Sequence, residues 1–241
     1  MSDERRGWRS LALLMAGVFL LSACSSHGTG PKQGRLPGFA AQHLVKSDFN
    51  RFAEAHQQRI FVSLRRLAEK LYKRNPKEWR KSDAPSLEVA VSRIFDVQHG
   101  WRLESLGYRR DLDALTIALH PEYRGDRVQA YIVGLASMVQ SAFGDREEFY
   151  LLDDLDAQHI YNAARNVEIA AWKVGSARAA DGHLLLLSNE MGDINNLSFE
   201  RDFGRMIGLL EALSDVVEEK TERTVIRVVQ NLATAVFLPV Y

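Results

Sequence analysis

Cysteine is almost missing from this chain: Cys24 is the only one in 241 residues. That excludes an intrachain disulfide framework and any cysteine-rich zinc site. An excess of either charge is missing too, since 31 Lys and Arg stand against 31 Asp and Glu, which argues against nucleic-acid binding through an overall field. Proline and glycine are sparse, with 6 and 16 residues, so the chain is neither collagenous nor broadly disordered. The apolar stretch at residues 11–23 is well short of the roughly 20 residues a membrane-spanning helix needs. Phosphate-loop and dinucleotide glycine patterns do not occur, nor does a Gly-x-Ser-x-Gly nucleophile elbow.

What is present begins with an address. Arg5, Arg6 and Arg9 precede the apolar stretch, which closes on small residues, the pattern of a secretory signal peptide over residues 1–23. Its end, Leu21-Ser22-Ala23-Cys24, resembles the lipobox of bacterial lipoproteins. The resemblance covers the signal and lipobox alone. It implies a diacylglycerol thioether and an amide-linked acyl chain (palmitate or similar) on Cys24. Several acyl chains, at about 0.8 kcal/mol per buried methylene, make a stable anchor. In that family, Asp directly after the cysteine signals inner-membrane retention; Ser25 and Ser26 stand there instead, which implies an outer-membrane lipid anchor with the domain facing the periplasm.

Residues 24–46 carry Gly28, Gly30, Pro31, Gly34, Pro37 and Gly38 with little apolar periodicity and read as a lipidated N-terminus and tether. Residues 47–241 form the domain, and their apolar period is helical. Phe49, Phe52, His56, Ile60, Leu64, Leu67 and Leu71 lay one stripe along a helix over residues 48–73. Asn75 reads as the cap of a short second helix with Pro76 at its first position and Glu78 reaching back, and Ser86 as the cap of a third. Further helices are predicted over 111–119, 125–143 and 156–179, with the one at 125–143 apolar nearly all round and therefore central. Ser198 can cap another helix, and residues 225–237 are predicted as an apolar closing helix packed into the core. The expected fold is mainly α, a bundle of about six to eight helices. Residues 149–152 and 184–187 leave a pair of short strands open, since periodicity does not decide them.

Global neutrality hides local asymmetry. Arg59, Arg65, Arg66, Lys70, Lys73, Arg74, Lys77, Arg80 and Lys81 crowd one segment against Glu69 and Glu78, whereas residues 145–156 and 211–222 are acidic. Two readings stand: solvated helix faces paired within the monomer, or a surface for anionic lipid headgroups or an acidic envelope protein. Asp96-Val97-Gln98-His99 and Asp156-Ala157-Gln158-His159 each place a carboxylate and an imidazole three apart, the spacing of carboxylate metal bundles, but both fall near predicted helix ends, Asp156 reading as a cap and Asp96 as a surface charge. The oxygen-rich residues 188–196 do not match a calcium loop and read as a turn. Asn162 and Asn166, one turn apart, are placed to hydrogen-bond a neighbouring element.

No catalytic residue, metal ligand or cofactor is assigned, and the chain is read as not an enzyme. The expectation is a non-enzymatic outer-membrane lipoprotein acting as an adaptor, assembly factor or accessory subunit. A periplasmic carrier of an apolar ligand is the alternative, and a metal-dependent hydrolase comes third. On the surface reading, the chain freed of residues 1–24 is expected to sediment with anionic vesicles or an acidic partner at low salt and to be released as salt rises. Failure to sediment at low salt removes that reading.

Overall fold

The computed structural model of the protein describes residues 47–150, 155–190, 192 and 195–241, and of Val97 the backbone only. Residues 1–46, read above as signal, lipobox with Cys24 and tether, lie outside these residues, as do Leu151, Leu152, Asp153 and Asp154. The described part is mainly helical, as the periodicity predicts. Its helices are α1 (Asp48–Arg74), α2 (Pro76–Trp79), α3 (Leu87–Ile94), α4 (Asp111–Ala118), α5 (Arg127–Ala142), α6 (Ala157–Ser176) and α7 (Ser198–Thr221).

Helix α5 is the axis of the bundle, and each of its 16 residues is buried. α4, α1, α6, α2 and α3 pack around it, and α7 closes the bundle against α1 and α6. Such a helix must have both ends satisfied by protein, because water does not reach its orphan amides and carbonyls. At the N-terminus Asp126 accepts from Gln129 N at 2.9 Å, and Glu78 of α2 accepts from Arg127 N at 2.7 Å. At the C-terminus Gly144 and Asp145 turn back through left-handed backbone, φ 69° and 58°, to donate to Ser141 O and Gln140 O.

Gly134 lets α4 approach: a Cβ there would lie 2.6 Å from Leu115 N and 3.0 Å from Asp111 O. Ser137 and Ser141, one turn apart, hold the start of α4, the first accepting from Asp111 N at 2.6 Å and the second donating to Asp111 Oδ1 at 3.1 Å.

Several local expectations are corrected. Residues 225–237 are not a helix; from Glu222 to Tyr241 the chain is a nonhelical arm. Its run Thr224-Val225-Ile226-Arg227-Val228-Val229 is rich in β-branched residues, which are stiff at χ1 and suit extended backbone. Asn75 does not cap α2. Its side chain donates to Leu71 O and also clamps Leu187, accepting from its N at 2.8 Å and donating to its O at 2.9 Å. Glu78 caps α5 instead of its own helix. Ser198 is the first residue of α7 and makes no side-chain cap, whereas Ser47 and Ser86 cap α1 and α3 through Asn50 N and Val89 N.

The stripe of α1 turns by one position in its first turns, so that Ala53 and Gln57 are buried and Phe52 is exposed. Residues 184–187 make no strand; Arg178 and Leu184 form one isolated bridge around the turn at Gly182. Gly134→Ala is expected to destabilise the fold by about 1–3 kcal/mol through overpacking of backbone on backbone, read by denaturant unfolding; no loss would mean that α4 is free to move off α5.

Candidate interaction site on the first helix

One side of α1 faces the core and the other faces solvent. Along the outer side Val62 is 57% exposed, a β-branched side chain standing between Gln58 and Arg65. Two grooves flank it. The first, about 710 Å³, lies between α1 and the segment after α3, and its apolar wall is Phe61, Phe95 and Trp101. The second, about 660 Å³, lies between α1 and α7, with Arg59, Ser63, Arg205 and Leu209. Gln58 and Val62 line both, so the grooves form one surface divided by the helix ridge.

The aromatic wall is built by a short irregular segment. Trp101 takes left-handed backbone, φ 64°, and its N–H donates to His99 Nδ1 at 2.9 Å. With Nδ1 accepting, the His99 ring carries its proton on Nε2 and donates it to Arg93 O at 3.0 Å. Phe61 stacks on Trp101 with centroids 5.7 Å apart, Phe95 meets Trp101 edge-on at 5.9 Å, and the Arg65 guanidinium lies 4.7 Å from the Phe95 ring centre. The groove thus presents an aromatic floor with a cation at its lip. Opposite, Gln57 and Gln140 both donate to Arg146 O at 2.7 Å, which fixes the loop bearing Glu147 and Glu148.

The structure divides the nine basic residues. Arg66 and Lys70 turn inward to Asp202 of α7, at 3.2 Å and 2.6 Å, with Arg205 at 3.8 Å; the Asp202 carboxylate is fully buried. Lys70 also donates to Ser198 O at 2.8 Å. Arg74 pairs with Glu190 at 2.9 Å, and Lys81 pairs with Glu78 and donates to Gly125 O. Arg80 lies over its neighbour Trp79. Arg59, Lys73 and Lys77 are exposed and make no ion pair among the described residues. Arg66 and Lys70 are therefore internal ties between α1 and α7, whereas Arg59 and Arg65 line the grooves.

The carboxylate–imidazole tetrads are local capping devices. Asp96 accepts from Gln98 N at 3.0 Å in a turn, and Asp156 caps α6 through Gln158 N and His159 N. Among the described residues no group of three or more His, Cys, Asp or Glu is arranged to hold a metal ion. Among the described residues of 188–196, Glu190 and Asn196 exchange two backbone hydrogen bonds, and the side chains of Asn195 and Asn196 accept from Gly192 N and Ser198 N, as in a turn, while the Glu190 carboxylate pairs with Arg74. Met191, Asp193 and Ile194 lie outside the described residues.

Sequence reasoning missed Trp101 and Phe95 as a pair. Phe95 stands four residues after Val91 and fits the period of α3, where it is the C-cap, so it reads as one more helix position, and Trp101, six residues further on past Gly100, follows no helical period.

Compared with protein-family models, curated proteins and solved structures, the chain shows no match to any of them.

The most perturbed acid beside α5 is Asp126. Burial pushes its carboxyl up to about 6 from 3.8, against the hydrogen bonds from Gln129 N and the Tyr72 hydroxyl (2.7 Å), which hold it down. The ionised form is thus disfavoured in the fold. Its contribution to stability is full below about pH 4 and is lost as pH rises to about 6, a change on the order of 3 kcal/mol. Asp126→Asn keeps a capping oxygen and cannot ionise, so unfolding free energy measured between pH 4 and 7 should lose that downward slope; an unchanged slope would assign it to another group.

Proposed function

We propose that the protein is a lipid-anchored envelope protein of the bacterial outer membrane that works as a non-enzymatic adaptor, assembly factor or accessory subunit. The observation that supports partner binding is the outer side of α1. Val62, 57% exposed, is flanked by two open grooves, one floored by Phe61, Phe95 and Trp101, and both edged by arginine. Apolar area ringed by arginine and aromatics is the composition of a protein–protein contact, and the arginines suit an acidic partner. The anchor rests on the lipobox at Cys24. A helix that follows directly on a membrane tether is also in reach of anionic headgroups.

An apolar ligand is the second reading, favoured by the aromatic floor of the first groove. The two are separated by a photo-crosslinking residue at Gln58 in intact envelopes. A discrete protein adduct that Val62→Glu abolishes without altering the helical circular dichroism supports the adaptor. Adducts to lipid alone support the carrier, and no adduct removes both. Cys24→Ser is expected to abolish incorporation of labelled fatty acid and to shift the chain from the membrane to the soluble fraction; label retained in that variant would remove the anchor.

A further inference from the structure

One face of α6 carries a row of groups that bind main chain. Gln158, Asn162 and Asn166 recur every four residues, so they line a single face. Gln158 accepts from Ile226 N at 2.7 Å and donates to Ile226 O at 3.1 Å. Asn166 treats Leu238 in the same way, at 2.7 Å for each bond, and Asn162 donates to Pro239 O at 2.7 Å. An amide that takes both the N–H and the C=O of one residue does what a neighbouring β-strand does. The row holds the inner edge of the C-terminal arm as a strand would.

The outer edge is open. In a strand the main-chain groups of successive residues point to opposite edges. Ile226 faces Gln158, and Val228 O lies 3.5 Å from the Tyr161 hydroxyl, also on α6. By that alternation Arg227 and Val229 share the other edge with Val225, whose N–H donates to Glu218 of α7 at 2.8 Å; among the described residues the main chains of Arg227 and Val229 make no hydrogen bond, so the edge is open from Arg227 onward. The side chains match: Val229 is 97% exposed and Ile226 is 72% exposed, within a β-branched run that suits pairing. An exposed apolar strand edge without proline to blunt it is a template for another strand. The one charge in the run, Arg227, is neutralised within the chain by Glu218 at 2.8 Å and Asp215 at 3.3 Å.

We propose that this edge pairs with the same segment of a second copy, making an antiparallel two-stranded ribbon with its two-fold axis at Val228. The run is self-complementary in that register. Arg227 of each copy exchanges both main-chain hydrogen bonds with Val229 of the other, so no arginine lies opposite an arginine. The two Val228 residues meet as the close, non-hydrogen-bonded pair on the axis, where Cα atoms approach to about 4.5 Å. A free two-stranded ribbon is marginal, but here each strand is already held on its inner edge by Gln158. The contact is isologous and closes at two copies. It does not rest on the adaptor reading, since it lies on α6 and the arm rather than on α1.

The test uses the full chain carrying Cys24→Ser, so that an introduced thiol is the only one. The expected results are a dimer by light scattering, a monomer for Val229→Pro and for Val229→Lys, and a rapid intermolecular disulfide for Val228→Cys. The distance across the axis is within disulfide reach, whereas Val229→Cys, which faces Arg227, should not form one. Two variants of Val229 are used because its exposed side chain and free main chain leave the fold untouched. A chain that is monomeric at all accessible concentrations overturns the proposal. So does a dimer that survives both Val229 variants, or a disulfide that forms equally well from Val228 and Val229.

Discussion

A helix buried along its whole length has no water to satisfy its ends, and that constraint on α5 organises the rest of the domain. Its first amides are met by Asp126 and by Glu78 from α2. Glu78 is held in turn by Lys81, which also donates to Gly125 O. The buried side chain of Arg127 then takes up carbonyls at the end of α4, bonding to Ala118 O, to His120 O at 2.8 Å and to Tyr123 O at 2.9 Å. One helix start thus fixes the placement of α2 and the end of α4. The cost of burying so polar a junction is visible in Asp126, whose carboxyl desolvation raises towards neutrality.

Electrostatics divides between structure and surface. Asp202, fully buried on α7, draws Arg66, Lys70 and Arg205 to itself. A buried carboxylate without cations would be strongly disfavoured, so these cations are committed to joining α1 and α7. Arg59, Lys73 and Lys77 are left without an ion pair among the described residues, and on the outer line of α1 Arg59 and Arg65 stand beside Val62 and the aromatic wall. Charge reversal spread over the whole basic segment would therefore break internal ties along with any docking surface.

Segments without regular structure are held by side-chain amides acting as surrogate strands. Asn75 does so for Leu187, Gln158 for Ile226, Asn166 for Leu238, and Gln230 for Val236 within the arm itself. The device satisfies isolated main-chain groups without a sheet. It also leaves a strand-like arm with one edge used and one edge open.

Helical period and the centrality of α5 were legible from the sequence alone, because they depend on neighbours three and four residues away, and so were two of the caps: Ser86 and Asp156 cap where spacing placed them, whereas Asn75 and Ser198 do not. The partners of charges and amides were not legible. Nothing local distinguishes Arg66 from Arg65, yet one is bound to a carboxylate 136 residues away and the other lies over Phe95. The closing segment was misread for the same reason. Its apolar content fits a buried helix, but its β-branched residues prefer extended backbone, and three amides on α6 supply that backbone with partners. Local preference decides what a segment can adopt, and the groups that tertiary packing brings to its main chain decide which of those forms is kept.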